Sequence, residues 1–375
     1  MVFNRKNDMK SYFKKMMEQD PSKKITYSTF IEAALYHPQL GYYMKPKQKI
    51  GKDGDFFTSS NVHTIYGKLF AKLFISIFAS EKLPPVICEI GAGTGRFANQ
   101  VLAEIKKESP SVYSQLSYIV VETSPYHLNL QQQLLPKDAN ITYYEKVENV
   151  PPFQGIIFSN ELFDALPVSV IKKQNGTIYE IFITMNNEEQ FVEVIEPLQN
   201  NKIKKYIEET GLELQEGQRI EIPLAMEPTI RSLSQILQKG IVFTVDYGYT
   251  FEEWKRPEHR DGSLRGYYQH QLVSDPLQYV GEMDLTTHIH LNSLEHFGQK
   301  YGLSHVFTMK QGEFLVSAGI LQYLEYNYDP NPFSEISKQN RAIRSLIMDS
   351  SLSNSFTVIA QQKNINAKWS SLIDI

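Results

Sequence analysis

Val86-Ile-Cys-Glu-Ile-Gly-Ala-Gly-Thr-Gly-Arg96 is the stretch of the sequence that decides the fold. It begins with a run typical of a buried strand, continues with three alternate glycines and leads into a helical pattern over residues 94–107. Glycine lacks a Cβ atom, so the backbone can turn sharply there and approach a ligand closely. The helix after the loop offers N–H groups and a partial positive charge at its first turn. The stretch therefore predicts a strand, a ligand-binding loop and a helix in succession.

Short apolar runs alternate with helical segments on both sides of this loop, which is typical of a parallel α/β sheet. Between the fourth and fifth predicted strands, the hairpin signals Asn175-Gly176 and Asn186-Asn187 separate β-type runs and predict an antiparallel insertion. The strands predicted for the main sheet are residues 86–90, 118–121, 141–144, 155–159, 241–245 and 356–360.

The order of these patterns predicts one α/β core with additions. Residues 1–80 are expected to form an N-terminal cap of helices and loops. Residues 81–167 and 225–375 form the core, with a long irregular loop at 250–287 that is a candidate functional loop. Residues 168–224 form the β-rich insertion, which we expect to be a substrate subdomain.

The glycine loop could serve three kinds of cofactor. A P-loop requires Gly-Lys-Ser/Thr, whereas Gly95 is followed by Arg96. The dinucleotide fingerprint Gly-x-Gly-x-x-Gly fails, because the sixth position counted from Gly91 is Arg96. The pattern Glu-x-Gly-x-Gly-x-Gly fits through Glu89, Gly91, Gly93 and Gly95, and it resembles that of class I S-adenosylmethionine (SAM) methyltransferases. The alternative is an incidental turn between a strand and a helix.

A second acidic residue, Glu122, ends the second predicted strand. A carboxylate at that position can accept hydrogen bonds from both hydroxyls of a ribose, as an acidic residue does in nucleotide sites. Taken alone, Glu122 would be a solvated strand end; together with the glycine loop it is predicted to bind the cofactor. Cys88 is expected to pack in the core of the sheet, and we assign it no chemistry.

Composition excludes several classes of protein. The 375 residues include 42 acidic and 38 basic ones, so a chain-wide basic field for nucleic acid is absent. The single cysteine excludes an internal disulfide and a zinc site built on several thiolates, and His288-x-His290 lacks a third ligand, so no metal is predicted. No uncharged apolar run reaches ~18 residues, and the N-terminus lacks the pattern of a signal or transit peptide. We therefore expect a cytoplasmic protein that does not insert into a membrane.

Other motifs along the chain carry a more specific resemblance. The motifs are Leu35-Tyr-His-Pro, Gly41-Tyr-Tyr43, Gly54-Asp-Phe-Phe-Thr-Ser59, Ser159-Asn-Glu-Leu-Phe-Asp-Ala-Leu-Pro-Val168, Val245-Asp-Tyr-Gly248, Leu264-Arg-Gly-Tyr-Tyr-Gln-His270 and Asp284-Leu-Thr-Thr-His288. In this order, from about residue 26 to 361, they resemble the MidA family of SAM-dependent methyltransferases. That family includes the mitochondrial protein-arginine methyltransferase that assists assembly of respiratory complex I.

This resemblance implies a seven-stranded, Rossmann-like sheet with family-specific insertions and SAM as the cofactor. By analogy it implies a protein arginine as the methyl acceptor. The chain departs from the family at one segment. Where the family has a DxTAHV-like sequence, this chain has Asp284-Leu-Thr-Thr-His288-Ile-His290, so the acceptor could differ.

Three polar residues come after the fourth predicted strand, where ligands bind in open α/β sheets. Glu161 and Asp164 are predicted to orient the acceptor, because carboxylates can hold a guanidinium bidentately. Their spacing would place them on one face if the segment were helical. Asn160 is predicted to contact SAM or the acceptor. The alternative is a polar helix start in which Asn160 is the N-cap and both acids lie in the first turn.

Two loops supply the remaining candidates. Asp55 and Thr58 are predicted to close over the cofactor, although Gly54-Asp55 could equally be an ordinary turn. Arg265, Tyr268 and His270 lie in the long loop and are predicted to line the acceptor groove. The alternative is that the aromatic residues only pack this loop against the protein.

The leading prediction is a SAM-dependent methyltransferase acting on a protein, with arginine as the acceptor side chain. The first alternative is a methyltransferase for a small molecule or another side chain. A further alternative is a SAM-binding assembly factor with little turnover. A nucleic-acid methyltransferase is disfavoured, since no Asp/Asn-Pro-Pro-Tyr/Phe segment comes after the fourth strand and the net charge is −4. The sequence leaves the oligomeric state open.

Overall fold

The structure is a computed structural model that describes residues 8–49, 54–55, 63–325, 331–348 and 355–373. The chain divides into two compact units, each assembled from separate stretches of sequence. The sheet unit comprises Phe57–Leu162, Ile230–Tyr247 and Phe297–Ile375. The accessory unit comprises Met1–Phe56, Phe163–Thr229 and Gly248–His296.

Helices and strands alternate along most of the chain. The helices are α1 Met9–Gln19, α2 Tyr27–Tyr36, α3 Ile65–Glu81, α4 Arg96–Glu108, α5 Pro110–Tyr113, α6 Pro125–Leu134, α7 Asn201–Thr210, α8 Met226–Ile236, α9 Phe251–Trp254, α10 Leu291–Lys300, α11 Gln311–Ser317 and α12 Glu335–Ile347. The strands are β1 Ile25–Thr26, β2 Val86–Ile90, β3 Ser117–Val121, β4 Asn140–Tyr144, β5 Phe153–Asn160, β6 Ser169–Gln174, β7 Thr177–Met185, β8 Phe191–Pro197, β9 Arg219–Ile222, β10 Leu237–Tyr249, β11 Arg265–Tyr268, β12 Gln271–Val273, β13 Asp284–Thr286, β14 Ile289–His290, β15 Ser304–Lys310 and β16 Phe356–Lys363.

The main sheet has the strand order β15-β16-β10-β5-β2-β3-β4. The strands from β10 to β4 pair in parallel, whereas β16 pairs antiparallel with both of its neighbours. The predicted α/β class is confirmed. The strand count differs from the predicted seven, because the two-residue strand β14 pairs with Gly248 and Tyr249 at the end of β10. The sequence patterns also do not predict β15.

A cluster of phenylalanines attaches the helices of the sheet unit to the sheet. Phe97 of α4 stacks on Phe158 of β5 with ring centroids 4.0 Å apart, and Phe70 of α3 lies 5.0 Å from Phe158. All three rings are buried. Aromatic pairs at such separations add attraction to the burial of apolar area. This packing fixes α4, and with it the glycine loop, at the carboxyl end of β2.

The accessory unit is built on antiparallel sheets. One has the order β1-β7-β6-β9 with β8 beside β7, and the other has the order β12-β11-β13. The rings of Phe13, Phe30 and Phe191 pack together at 4.9–5.9 Å and join α1, α2 and β8. The residues 250–287, predicted as an irregular loop, therefore contain a helix and a three-stranded sheet.

The two units have boundaries other than those of the predicted domains. Helices α1 and α2 belong to the accessory unit, where β1 pairs with β7, whereas α3 belongs to the sheet unit. The described part of the predicted cap at 1–80 thus falls in both units. Among the described residues, no helix has the length and apolar composition needed to cross a bilayer.

Candidate active site

The glycine loop has backbone angles that residues with a side chain adopt only with strain. Gly91, Gly93 and Gly95 have φ values of 71°, 52° and 78°, in the left-handed region that favours glycine. A Cβ atom on Gly95 would also lie 3.0 Å from Cγ of Gln131. Gly95 is the N-cap residue of α4 and has no side chain that could cap the helix. The loop therefore brings bare backbone and a helix N-terminus to the carboxyl end of β2, as a loop that holds a polar ligand requires.

Glu122 fastens the glycine loop to the neighbouring strand. It directly follows β3 and accepts hydrogen bonds from the N–H groups of Gly93 (3.1 Å) and Ser124 (2.8 Å), and from Nε2 of Gln131 (3.3 Å). Burial raises the pKa of Glu122 to about 7, against the opposing effect of these hydrogen bonds. A carboxylate with two backbone donors keeps lone pairs for further hydroxyl donors. Its position fits the predicted ribose contact.

Glu89, the first residue of the glycine motif, is buried in the sheet unit. The hydroxyl of Tyr118 donates a hydrogen bond to its side chain at 2.6 Å. Burial raises the pKa of Glu89 to about 7, and the charge of Glu122 acts in the same direction. The two carboxylates thus lie close enough to influence each other.

Asn160 and Glu161 lie where β5 ends beside the glycine loop. Asn160 pairs with Val245 of β10, and the N–H of Glu161 donates to the carbonyl of Val245 at 2.9 Å. Glu161 has a φ of 54°, which is uncommon for a residue with a side chain. A Cβ atom on Gly91 would lie 3.6 Å from Cδ1 of Leu162, so the chain beyond Glu161 adjoins the loop.

This geometry excludes the helix that one interpretation of the sequence placed after β5. Residues 161–167 are not helical, so Asn160 is not a helix N-cap, and the spacing of Glu161 and Asp164 does not place them on one helix face. The physical reason is that the strand ladder to Val245 continues through Glu161, whose backbone then turns left-handed. Glu161 belongs to the sheet unit and Asp164 to the accessory unit.

Asp164 takes part in a buried polar group of the accessory unit. Oγ1 of Thr286 donates to Oδ2 of Asp164 at 2.8 Å, and the N–H of Thr287 donates to its carbonyl at 3.0 Å. Asp284, two residues before Thr286, accepts a hydrogen bond of 2.6 Å from the hydroxyl of Tyr43. Burial raises the pKa of Asp284 to about 7, and the charges of Asp164 and Asp55 add to that effect. The sequence motif contained Asp284 but gave no reason to select it.

Asp55 holds the tip of the β11–β12 hairpin. Its buried carboxylate accepts hydrogen bonds from the hydroxyl of Tyr42 and the N–H of Gln269, both at 2.8 Å. Lys47 pairs with the same carboxylate at 3.2 Å, and the N–H of His270 donates to the carbonyl of Asp55. The structure therefore brings Asp55 and the predicted acceptor residue His270 together. Thr58 lies outside the described residues.

The other predicted acceptor residues lie in the same hairpin. Arg265 and Tyr268 are the first and last residues of β11. The Arg265 guanidinium lies 5.9 Å from the ring of Tyr267, and Nζ of Lys47 lies 5.4 Å from the ring of Tyr268. Tyr268 also stacks on Tyr279 with centroids 4.4 Å apart. These contacts agree with packing of the hairpin and leave the acceptor role a prediction.

The two histidines with metal-like spacing have aromatic neighbours. The ring of His288 stacks on Tyr249 at 4.3 Å, and Nδ1 of His290 lies 2.9 Å from the hydroxyl of Tyr206. Burial lowers the pKa of His290 to about 3, so that its imidazole is neutral. Within the part of the chain that the structure describes, no three His, Cys, Asp or Glu residues are arranged to hold a metal ion.

Comparison with known proteins identifies relatives over most of the chain. A sequence model of a family described as S-adenosyl-L-methionine-dependent methyltransferases matches residues 69–308, more than half of the chain. A crystal structure of a COG1565 superfamily member from Burkholderia thailandensis, bound to S-adenosyl-homocysteine, superposes with a TM-score of 0.83. It is 25% identical, and the match covers 92% of this chain and 89% of that one.

Curated relatives add names for animal proteins. The protein arginine methyltransferase NDUFAF7 homolog, mitochondrial, of Drosophila melanogaster is 27% identical over 322 residues, which cover 78% of this chain and 70% of that protein. The protein arginine methyltransferase NDUFAF7, mitochondrial, of Mus musculus is 25% identical over 337 residues, covering 79% and 71%.

Proposed function

The chain belongs to the family of S-adenosyl-L-methionine-dependent methyltransferases, and from this premise we propose that it methylates an arginine side chain of a protein. SAM is the cofactor of this family, and the left-handed glycines and Glu122 fit it. The observation that carries the proposal is the carboxylate of Glu161, held by Asn160 where β5 ends beside the glycine loop.

SAM supplies an electrophilic methyl group on a sulfonium. In the transfer an N–C bond forms as the C–S bond breaks, the electron pair of the broken bond stays on the sulfur, and the guanidinium releases a proton to solvent water. A free guanidinium is protonated throughout the physiological pH range and is a poor nucleophile. A carboxylate that binds it bidentately aligns one nitrogen with the methyl group and stabilises the positive charge during the transfer. We assign this role to Glu161.

The names of the relatives support a protein acceptor. Those of Drosophila melanogaster and Mus musculus are both named protein arginine methyltransferases, at 27% and 25% identity. The buried carboxylates Asp164 and Asp284 of the accessory unit agree with a cationic acceptor. Asp164 is proposed as a second acceptor-orienting residue.

The direct test is the variant Glu161→Gln, which keeps the shape of the side chain and removes its charge. We expect methyl transfer to fall by about a hundredfold, because positioning and charge stabilisation of the acceptor are lost together. SAM binding, measured by calorimetry, is expected to stay within about twofold of the wild type. The matched control is Glu208→Gln, since Glu208 is exposed on α7.

Three results would contradict parts of the proposal. Normal transfer by Glu161→Gln would remove Glu161 from the reaction. Transfer of a labelled methyl group from SAM to small molecules alone would favour a small molecule as the acceptor. SAM binding without any transfer to protein would favour an assembly factor.

A further inference from the structure

We propose that Tyr66 is a positioning residue for methyl transfer, acting on the Glu161 carboxylate through the amide of Asn160. This inference rests on the proposed function, because Tyr66 would act on the carboxylate that orients the acceptor. Tyr66 is remote in sequence from the predicted catalytic residues. Tyr66, Asn160 and Glu161 all belong to the sheet unit.

The hydroxyl of Tyr66 is a buried hydrogen-bond donor beside Asn160. Tyr66 lies in the first turn of α3, is fully buried, and packs its ring 5.1 Å from Phe70 and 6.1 Å from Phe97. Burial and the nearby charge of Glu161 raise its pKa well above the ordinary value. The phenol therefore keeps its proton at neutral pH and can donate a hydrogen bond there.

The hydroxyl of Tyr66 and the carboxylate of Glu161 contact opposite ends of the Asn160 amide. The hydroxyl of Tyr66 lies 3.3 Å from Oδ1 of Asn160, and Nδ2 of Asn160 donates to Oε1 of Glu161 at 2.8 Å. The opposite orientation would turn the amide oxygen toward a carboxylate oxygen, and the two acceptors would repel each other. The hydroxyl and the carboxylate thus select the same orientation of the amide.

The backbone of Glu161 is fixed independently. Its N–H donates to the carbonyl of Val245 at 2.9 Å, and its φ of 54° is one that a residue with a side chain adopts only when its surroundings hold it. In the side chain, Nδ2 of Asn160 holds one of the carboxylate oxygens. Tyr66 therefore reduces the freedom of the carboxylate that orients the acceptor.

The test is Tyr66→Phe, which keeps the aromatic ring in the core and removes only the hydroxyl. We expect kcat for methyl transfer to fall about tenfold, the size of one lost hydrogen bond, while the Kd for SAM is unchanged. The acidic limb of the pH–rate profile should move to higher pH, because a looser Asn160 stabilises the ionised form of Glu161 less. The control is Tyr143→Phe on β4, which is three strands away from β5 in the sheet.

A double-mutant cycle with Glu161→Gln separates positioning from general damage. If Tyr66 acts through Glu161, adding Tyr66→Phe to Glu161→Gln causes little further loss. Additive losses, or a wild-type kcat and pH profile for Tyr66→Phe, would overturn the inference. Should Glu161→Gln itself transfer methyl groups normally, the proposed function of Glu161 fails first, and the two failures are thereby distinguished. Circular dichroism and the Tm of each variant establish that it is folded.

Discussion

Three buried carboxylates, Glu89, Glu122 and Asp284, have pKa values raised to about 7. Burial disfavours the charged form in each case, and hydrogen bonds only partly offset that effect. Two of the three could be selected from the sequence, because Glu89 belongs to the glycine motif and Glu122 ends a strand. The burial of Glu89 and Glu122 and the effect of one charge on the pKa of the other could not be predicted, since both depend on how β2 and β3 pair.

The pKa of Glu122 predicts how SAM affinity depends on pH. Glu122 is ionised above about pH 7, where all its lone pairs can accept hydrogen bonds, and it becomes protonated as the pH falls through that value. We expect SAM to bind more tightly at pH 8 than at pH 6. In Glu122→Gln the NH2 group replaces one carboxylate oxygen and opposes the N–H donor of either Gly93 or Ser124, so affinity at pH 8 should fall roughly tenfold and the pH dependence should flatten.

Calorimetry at both pH values measures this effect. The matched control is Glu145→Gln, because Glu145 directly follows β4 as Glu122 follows β3, but is exposed. Wild-type affinity of Glu122→Gln at pH 8 would remove Glu122 from the cofactor site.

At the scale of elements, the strands and helices around the glycine loop could be predicted, whereas the segment after β5 could not. Polar residues of the types at 160, 161 and 164 are common at helix starts, so a helix start is one interpretation of the sequence there. The ladder from Glu161 to Val245 prevents it, and that contact is set by the neighbouring strand. The strand β15 was missed for a related reason: it lies at the edge of the sheet, and its sequence Ser-His-Val-Phe-Thr-Met-Lys is largely polar.

The β11–β12 hairpin carries an uncommon turn. Its two central residues, Gln269 and His270, have φ values of 49° and 62°, as in type I′ turns, where Asn-Gly is the favoured pair. Asp55 holds both of them, one through its carboxylate and one through its carbonyl. The hairpin that contains the predicted acceptor residues Arg265, Tyr268 and His270 therefore depends on Asp55.

We expect Asp55→Ala to loosen this turn. The N–H of Gln269 loses its acceptor, so hydrogen exchange at Gln269 and His270 should become at least about tenfold faster. The added change Gln269→Asn should recover part of the protection, because asparagine tolerates a positive φ better. The Asn175-Gly176 turn, with φ values of 52° and 74°, is an internal control whose exchange should stay constant.

Unchanged exchange at Gln269 and His270 in Asp55→Ala would contradict this role. In that case the prediction that Asp55 closes over the cofactor would be favoured, and a weaker Kd for SAM in Asp55→Ala would support it.

At the scale of the whole molecule, each unit is assembled from stretches that are far apart in the sequence. The accessory unit draws on three separate stretches, and one of its boundaries falls between Leu162 and Phe163, inside the motif that runs from Ser159 to Val168. Local patterns identify that motif but contain no information about which strand each side of it joins. The cofactor is predictable because glycines at fixed spacing perform one local task, and the family is predictable from the resemblance of several motifs along the chain. The partners of Asp55, Asp164 and Asp284 are not predictable, because they come from distant stretches.

The most direct test of the central claim uses isotopically labelled SAM. The purified protein is incubated with a lysate of source cells that lack it, and mass spectrometry locates the label in the proteins. We predict labelled methyl groups on arginine side chains, present with the wild type and with Glu208→Gln, and reduced about a hundredfold with Glu161→Gln. Label on another side chain, or only on small molecules, would contradict the account.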